Sequence, residues 1–538
     1  MTRPVERRPS RGGVKARQRE VRDCLAEHGF AAGPFRLWRG PGAGRAEARG
    51  PRLRAALARL GPVFTGFGAY LATRADLGLA GLRADLSAPF PRPATAPTAA
   101  VRELLARELG RAPALAFAEF EETPCDVGLL FQAHRARLPD GEPVTVKVAR
   151  PGREEELAAD LAALPLLEKA LAEDEGAALD LGAAVADFQH LVRQQVDFRH
   201  EAGVLEALGR DGADCELLRA PRVWAGLSTA RVLTAERLPG RPLAELLQGA
   251  DAGVDGRALA GRLCAAWLRQ AALGRFFPVE AGPEHVLVLP GGELAFTGAC
   301  GSAPATAQRD LWEYLLAAAA DDPDRACTHL GRVLECRPGA EADGLRHRFR
   351  QAVPFRDGES GGAGEALGGL LWLHRDCARA ADYRTPGYLS RWYRGLFLVH
   401  DTARRLAPGH DALRDGLEHV QVAVTLGRLR ELLTPAHWER CLAEYAPVLR
   451  QLPGDLDGVL TLLAEGDARV RLHESGGRGR QRNTTAVLTA LLLALAGAAV
   501  LVQHLESVGA LGGWGGRAGA GVFLLGGAIL LWGLGRGE

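Results

Sequence analysis

Polar and apolar residues alternate along two short stretches in the first third of the chain, a pattern typical of β-strands. The stretches are residues 132–138 and 144–148, and the Asp140-Gly141 pair between them supplies the positive φ that a tight turn needs. The three valines of the second stretch share one face, so Lys147 falls on the other face. The sequence therefore predicts a β-hairpin that carries one lysine on a largely apolar strand.

Helical spacing of apolar residues dominates most of the remaining chain. It predicts long helices over residues 154–172, with a kink at Pro165, and over residues 181–208. From residue 243 onward the pattern is nearly all helical, except for an apolar hairpin over residues 286–296. A mixed stretch followed by a mainly helical stretch predicts an α+β fold with two lobes.

Two uncharged apolar runs near the end of the sequence are each close to the roughly 20 residues that a helix needs to cross a membrane. They are Thr484–Val502 and Ala518–Gly535, joined only by residues 503–517, so we expect a transmembrane helical hairpin. Flanking arginines place both ends in the cytoplasm by the positive-inside rule. Small residues in both runs would also let helices of two chains pair as a homodimer. The alternative is a hairpin buried in a large soluble domain.

Changes in composition predict the boundaries between the parts of the chain. These parts are a disordered basic arm over 1–50, a helical extension with a Pro-rich linker over 51–99, a mixed small lobe over 100–238, a mostly helical large lobe over 239–475, and the two transmembrane helices over 484–535.

The overall charge and the cysteines exclude several classes of protein. The chain has 66 basic and 65 acidic residues, so its formal net charge of +1 gives no electrostatic argument for binding nucleic acid. Its nine cysteines include no Cys-x-x-Cys pair, which argues against a disulfide framework and against a zinc site.

Six segments follow one another in an order and at spacings typical of one protein family. They are Leu60–Leu77, Phe120–Gly152, Val196–Gly203, Ala220–Gly240, Arg275–Gly301 and Leu462–Leu472. On these segments the chain resembles the UbiB/AarF family of atypical protein-kinase-like proteins, which are associated with ubiquinone biosynthesis.

The resemblance implies a two-lobed protein-kinase-like fold, with an N-terminal extension that covers a nucleotide cleft and with Lys147 as the phosphate-binding lysine. It implies ATP and Mg²⁺ as ligands, although the departures described next argue against both. It also implies membrane lipid or quinone-pathway proteins as partners, and a bacterial cytoplasmic membrane as the location, with the soluble body in the cytoplasm.

The small lobe and the extension depart from the family pattern at three motifs. The Lys-x-Gly-Gln motif is replaced by residues 66–69 (GFGA), and the Glu-x-Asp motif by residues 195–197 (QVD). The loss of a lysine together with its glutamate is coherent, because an unpaired buried charge costs several kcal/mol. The alanine-rich nucleotide loop reads DVGLLFQ over residues 126–132, and its large side chains would crowd a phosphate.

The large lobe departs further. The family motif that carries a catalytic aspartate and a metal-binding asparagine is replaced by residues 278–285 (PVEAGPEH), where Glu280 keeps a carboxylate and His285 stands at the end. The Asp-Phe-Gly motif is replaced by residues 298–300 (GAC), which removes a ligand of Mg²⁺. The next carboxylate, Asp310, could replace it only through a different loop path.

Five residues remain as site candidates. Lys147, Asp197 and Glu236 are candidates for cofactor binding, Glu280 for catalysis and His285 for a metal ion. The alternatives are that Lys147 is a relic, solvated or paired with Asp197 or Glu280, and that Glu280 and His285 belong to a solvated loop.

These departures predict a membrane-anchored pseudokinase that serves as a scaffold or accessory in quinone or isoprenoid lipid metabolism. One alternative is a divergent ATPase or small-molecule kinase with an altered metal site at Glu280 and His285. A second alternative is a lipid-binding module whose cleft, lined by Leu129, Leu130 and Phe131, holds an isoprenoid tail.

Overall fold

The structure is a computed structural model that describes most of the chain up to residue 432. The described residues are 11–30, 49–74, 80–91, 93–175, 181–213, 215–248, 255–337, 340, 342–352 and 366–432. The two apolar runs predicted to cross a membrane, 484–502 and 518–535, lie outside these residues. Within the described ranges, no helix is long and apolar enough to span a membrane.

Helices account for most of the described chain. They are α1 (Arg11–Glu27), α2 (Arg49–Leu60), α3 (Pro62–Ala72), α4 (Ala80–Ser87), α5 (Thr98–Leu109), α6 (Pro113–Ala116), α7 (Glu154–Ala163), α8 (Pro165–Glu175), α9 (Leu181–Gln195), α10 (Phe198–Asp211), α11 (Leu243–Gln248), α12 (Gly256–Leu273), α13 (Ala305–Ala319), α14 (Pro323–Val333), α15 (Ala342–Gln351), α16 (Ala366–Ala380), α17 (Gly387–Leu406) and α18 (Ala412–Leu432).

The strands are short and lie mainly in the first half of the chain. They are β1 (Glu119–Phe120), β2 (Asp126–Val127), β3 (Phe131–Arg137), β4 (Pro143–Ala149), β5 (Val232–Glu236), β6 (Arg241–Pro242), β7 (Phe277–Pro278), β8 (Val286–Val288), β9 (Leu294–Phe296), β10 (Cys300–Gly301), β11 (Glu335–Cys336) and β12 (Tyr383–Arg384). The fold is therefore α+β.

The main sheet has the order β1-β3-β4-β5, and β2 also pairs with β3, at residues 132–133. The predicted hairpin is confirmed as β3 and β4, and Gly141 in its turn has a φ of 87°. All three valines of β4 are fully buried, on the face away from Lys147. Lys147 lies opposite Ala133 of β3 and Leu233 of β5, so it is held in the middle of the sheet.

The predicted long helix over residues 181–208 is wrong, because the structure has two helices there. Helix α9 ends at Gln195 and α10 begins at Phe198. Asp197 between them has an extended backbone, and its carboxylate accepts a hydrogen bond from the Arg199 backbone N–H at 3.0 Å. Asp197 therefore acts as an N-cap that starts a new helix, a role that apolar periodicity cannot reveal.

The prediction of a disordered arm over residues 1–50 is also wrong for residues 11–27, which form α1. Val21 and Leu25, one helical turn apart, are buried, which gives the helix an apolar face. The Arg17 guanidinium donates to the Asp160 carboxylate of α7 at 2.6 Å, so α1 packs on the helices that follow the β3–β4 hairpin. A stretch rich in arginine can thus be ordered when an apolar stripe runs between the charges.

Helix α12 forms the centre of the large lobe and packs against both α17 and α18. Trp267 in α12 is completely buried, and its indole N–H donates to the Pro278 carbonyl oxygen at 2.8 Å. This bond ties β7, and the loop that follows it, to the core of the lobe. The backbone that carries the candidate residue Glu280 is therefore held in place by the core of the large lobe.

His374 of α16 is buried against α13 and α15, and it makes the stability of the large lobe depend on pH. The His374 ring stacks on Phe349, with the ring centres 4.1 Å apart, and is 2% exposed. Burial lowers the pKa of His374 from 6.5 to about 4. In mildly acidic solution, His374 therefore binds a proton in the unfolded chain but stays neutral in the folded chain.

We expect the free energy of unfolding to fall by about 2 kcal/mol between about pH 7 and about pH 5 because of His374 alone. Urea unfolding at the two pH values measures the change. The variant His374→Gln, which carries no titrating ring, should lose that part of the pH dependence. An identical dependence in the variant would contradict the assignment.

Candidate functional site

Lys147 forms an ion pair with Glu201 at the centre of the small lobe. Its amino group lies 2.8 Å from Oε1 and 2.7 Å from Oε2 of that carboxylate. Glu201 lies in the first turn of α10, four residues after the Asp197 cap, so the break before α10 fixes its position. The expected partners of Lys147, Asp197 and Glu280, are not its partners: Asp197 binds Arg199 instead.

Two aromatic rings cover the Lys147 amino group. The amino nitrogen lies 3.9 Å from the centre of the Phe131 ring and 5.3 Å from that of Phe198. The Phe131 ring lies against the backbone of Gly128, where a β-carbon would overlap it. With one carboxylate and two rings around it, the lysine charge is 17% exposed, so its charge is already satisfied within the protein.

The loop at the position of the nucleotide loop folds against the protein itself. Leu129 and Leu130 are half-buried and pack against the main hydrophobic core. Arg150 binds the carbonyl oxygens of two residues of this loop. Its guanidinium donates to Leu129 O at 3.4 Å, and its backbone N–H donates to Leu130 O at 3.0 Å. The loop is thus held as a structural turn.

Glu280 follows β7 and already uses both carboxylate oxygens. Oε1 lies 3.4 Å from Nη2 of Arg394, and Oε2 accepts the Ala299 backbone N–H at 3.2 Å. Burial raises the pKa of Glu280, but the charge of Arg394, with a smaller effect of His285, brings it below its ordinary value. Glu280 is therefore a bound carboxylate and a weak base.

The position of the lost metal-binding aspartate is closed by the backbone. A β-carbon on Gly298 would overlap the Glu280 carbonyl oxygen and lie 2.7 Å from the Glu280 β-carbon and 3.0 Å from the His285 β-carbon. Two further bonds fix this approach, because the N–H groups of Val279 and Glu280 both donate to Ala299 O. No side chain fits at residue 298 unless these two loops separate.

His285 lies on the surface in a short 3-10 helix, Pro283–His285, where its backbone N–H donates to Gly282 O. Among the described residues, no group of three or more His, Cys, Asp and Glu side chains is placed to hold a metal ion. Asp310 does not fill the gap either, because it binds His329 and Arg332 of α14. The residues present therefore do not fit a Mg²⁺ ion for phosphoryl transfer.

Cys300 is a buried thiol close enough to Glu201 and Glu280 to feel both charges. Burial raises its pKa to about 12, and the charges of Glu201 and Glu280 act in the same direction. A thiol that stays neutral and buried is a poor nucleophile at neutral pH. Cys300 packs with Phe198 and Leu233 as a small apolar side chain.

Glu236 lies at the end of β5 and is bound by arginines of the same lobe. Its Oε1 accepts from the Arg219 guanidinium at 2.6 Å, and its Oε2 accepts from the Arg222 backbone N–H at 3.2 Å. The structure thus gives Glu236 a local partner and places it apart from the Lys147–Glu201 pair.

The arrangement combines residues that the sequence suggested with residues that it did not. Glu201 lies within Val196–Gly203, one of the segments that resemble the family, but its pairing with Lys147 was not predicted, although its place one turn after a helix cap is a usable signal. Arg394, which binds Glu280, lies 114 residues further along the chain, and nothing in its local sequence marks it.

Residues 92–330 match the family described as ABC1 atypical kinase-like domain. This part of the chain is thus similar to the UbiB/AarF family, in agreement with the resemblance that the sequence motifs indicate. Its relatives include "Probable protein kinase UbiB" of Pseudomonas putida, 34% identical over 244 residues, which are 45% of each chain. The protein of the same name from Marinobacter nauticus is 32% identical over 243 residues, 45% of this chain and 44% of that one.

The chain spans less than half the length of the curated relatives that it matches. A solved structure, that of Rv3197 with erythromycin from Mycobacterium tuberculosis, covers 75% of this chain and all of its own, at 17% identity and a TM-score of 0.38. A similarity at that level carries no argument about fold or ligand.

The close packing of backbone atoms around Gly298 predicts that any side chain at this position lowers the stability of the fold. We expect Gly298→Ala to lower the free energy of unfolding by about 1–3 kcal/mol, because its methyl group would push the Glu280 and Ala299 backbones apart. Gly203→Ala is the control, since a β-carbon there meets nothing within 4 Å in α10. The control should be stabilising by about 0.5–1 kcal/mol in urea unfolding. Equal effects of both variants would contradict the closure.

The ion pair of Lys147 predicts energetic coupling with Glu201. In a double-mutant cycle of Lys147→Met and Glu201→Gln, we expect a coupling energy of about 1–2 kcal/mol, because each single variant leaves a half-buried group without its partner. The same cycle of Lys147→Met with Asp197→Asn should give no coupling. A larger coupling to Asp197 would refute the pairing.

Proposed function

We propose that this chain is a UbiB/AarF-family pseudokinase that keeps the kinase-like framework and works without phosphoryl transfer. The observation that carries the proposal is the closed position of Gly298. On the family resemblance this residue replaces the aspartate that holds Mg²⁺ on the nucleotide phosphates, and the Glu280 backbone leaves no room for a side chain there.

The surroundings of Lys147 support the proposal independently. A lysine that neutralises phosphate in a kinase is held by a glutamate but keeps its amino group open to the nucleotide. Here the Lys147–Glu201 pair is present, and Phe131 covers the amino group from the side of the nucleotide loop. The pair is thus retained as part of the framework of the small lobe.

The bonds of the Glu280 carboxylate remove a third requirement of phosphoryl transfer, a carboxylate that is free to act as a base. Catalysis of phosphoryl transfer depends almost wholly on positioning and on charge neutralisation. At Gly298, Lys147 and Glu280, the part of the chain that the structure describes supplies none of these contributions. We infer that Glu280 serves a structural role, with its charge neutralised by Arg394.

The cellular role that we propose is that of a membrane-anchored scaffold or accessory in quinone or isoprenoid lipid metabolism. This role rests on the family resemblance and on the two uncharged runs at 484–502 and 518–535. Its partners would be membrane lipid or quinone-pathway proteins at a bacterial cytoplasmic membrane, and the small residues of the two runs would permit a homodimer.

The two alternative functions find less support. An ATPase with an altered metal site needs Glu280 free to bind a metal, whereas both of its oxygens are engaged. A lipid site lined by Leu129 and Leu130 needs their side chains to face a cleft, whereas they pack on the hydrophobic core.

A thermal-shift titration of the full chain with ATP and ADP, with and without Mg²⁺ or Mn²⁺, tests the proposal. We expect no metal-dependent shift, whereas a working site at 100 times its dissociation constant would add about 2.7 kcal/mol of stability. Phe131→Ala, which uncovers Lys147, should permit at most metal-independent binding. A metal-dependent shift in the unaltered chain that Lys147→Met abolishes would overturn the proposal.

A further inference from the structure

Helix α3 of the N-terminal extension touches both sides of the site. At its start, a β-carbon on Gly66 would lie 3.6 Å from Leu129 of the loop at the nucleotide position. At its end, Thr73 meets Arg394 of α17 in the large lobe. Helix α3, eleven residues long, therefore contacts both lobes.

A buried group of polar side chains holds the C-terminal end of α3. The Tyr70 hydroxyl donates to the Asp187 carboxylate of α9 at 2.7 Å, and Arg391 of α17 donates to the other Asp187 oxygen at 2.6 Å. Tyr70 is 3% exposed and Asp187 is 6% exposed, so water screens these bonds little.

Arg394 connects this group to Glu280. Its Nε donates to the Thr73 hydroxyl at 2.8 Å and its Nη2 lies 3.4 Å from Glu280 Oε1. Its guanidinium also lies over the Tyr70 ring, 4.9 Å from the ring centre. One side chain thus contacts the last turn of α3 and the loop that carries the candidate catalytic carboxylate.

We propose that Arg394 is a latch that holds the N-terminal extension closed over the kinase-like site, with Glu280 as the anchor of the latch. We call the contacts of Arg394 with Thr73, Tyr70 and Glu280 the extension latch. Arg394 acts as a positioning residue in this arrangement and takes no part in chemistry.

The charges explain why the latch needs Glu280. Arg394 is 6% exposed, and a buried guanidinium without a counter-charge is strongly destabilising. Its Nη1 is buried and has no hydrogen-bond partner, so the group is already incompletely satisfied. Of the contacts of Arg394, the one with the Glu280 carboxylate is therefore the one whose loss would destabilise the protein most.

The close packing of α17 makes the latch rigid. A β-carbon on Gly395 would overlap the Pro278 carbonyl oxygen, so the helix backbone lies directly against β7. That approach sets Arg394 beside Glu280, two residues after Pro278. By contrast, residues 66–69 of α3 carry no charged side chain. The polar contacts of α3 with the rest of the protein therefore lie at the other end of the helix, from Tyr70 onward.

Amide hydrogen exchange of the full chain, followed by mass spectrometry, tests the latch. In Arg394→Gln we expect peptides covering residues 62–74 to exchange at least about tenfold faster, while α12 keeps its protection. The milder variant Thr73→Val, which removes one acceptor of Arg394 without changing side-chain size, should give an increase of about threefold in the same peptides.

Arg375→Gln is the matched control. Arg375 is as buried as Arg394 and also has an Nη1 atom without a partner, but it binds Asp376 and stacks on Trp372 in α16. This variant should leave the exchange of residues 62–74 unchanged. An equal effect of Arg375→Gln, or unchanged exchange in Thr73→Val, would overturn the latch, and Thr73→Val decides the matter if Arg394→Gln does not fold.

The result does not depend on nucleotide. A metal-dependent nucleotide shift would refute the pseudokinase proposal and leave the exchange result standing. Unchanged exchange would refute the latch and leave the closed position at Gly298 in place.

Discussion

The structure depends on the close approach of two backbone segments in the large lobe. The N–H groups of Val279 and Glu280 both donate to the Ala299 carbonyl oxygen, at 2.9 Å and 3.1 Å. These bonds bring the two loops that would carry the base and the metal ligand of a kinase into direct contact. Only glycine fits at residue 298 as a result, so the loss of the metal ligand is built into the packing.

The same approach determines where the charged side chains go. Glu280 accepts a hydrogen bond from the Ala299 backbone N–H and pairs with Arg394, and the neighbouring Cys300 is a buried, neutral thiol. Lys147 is left with Glu201 as its partner and is covered by an aromatic ring. The charges of Lys147 and Glu280 are thus paired within the protein, and buried charges need such partners in a stable fold.

The close packing at Gly298 and the pairing of charges within the protein are therefore two aspects of one arrangement. A catalytic site keeps groups incompletely satisfied so that substrate can complete them, and this costs stability. Here the carboxylate of Glu280 and the amino group of Lys147 are satisfied by neighbours. The carboxylate also contributes to the contact between the large lobe and the N-terminal extension, through Arg394.

The sequence by itself determined the β-hairpin with Lys147, the α+β class and the family resemblance, because strand alternation and motif order are local properties of the chain. It also showed at which positions the chain departs from the family motifs. It failed at residues 181–208, where a cap outweighed helical periodicity, and at residues 11–27, where an apolar stripe ordered a basic segment. Only the tertiary structure decided the partner of Lys147, the closure at Gly298 and the role of Arg394. These depend on contacts between residues far apart in the chain, and the distances between such residues are set by packing, which no local pattern records.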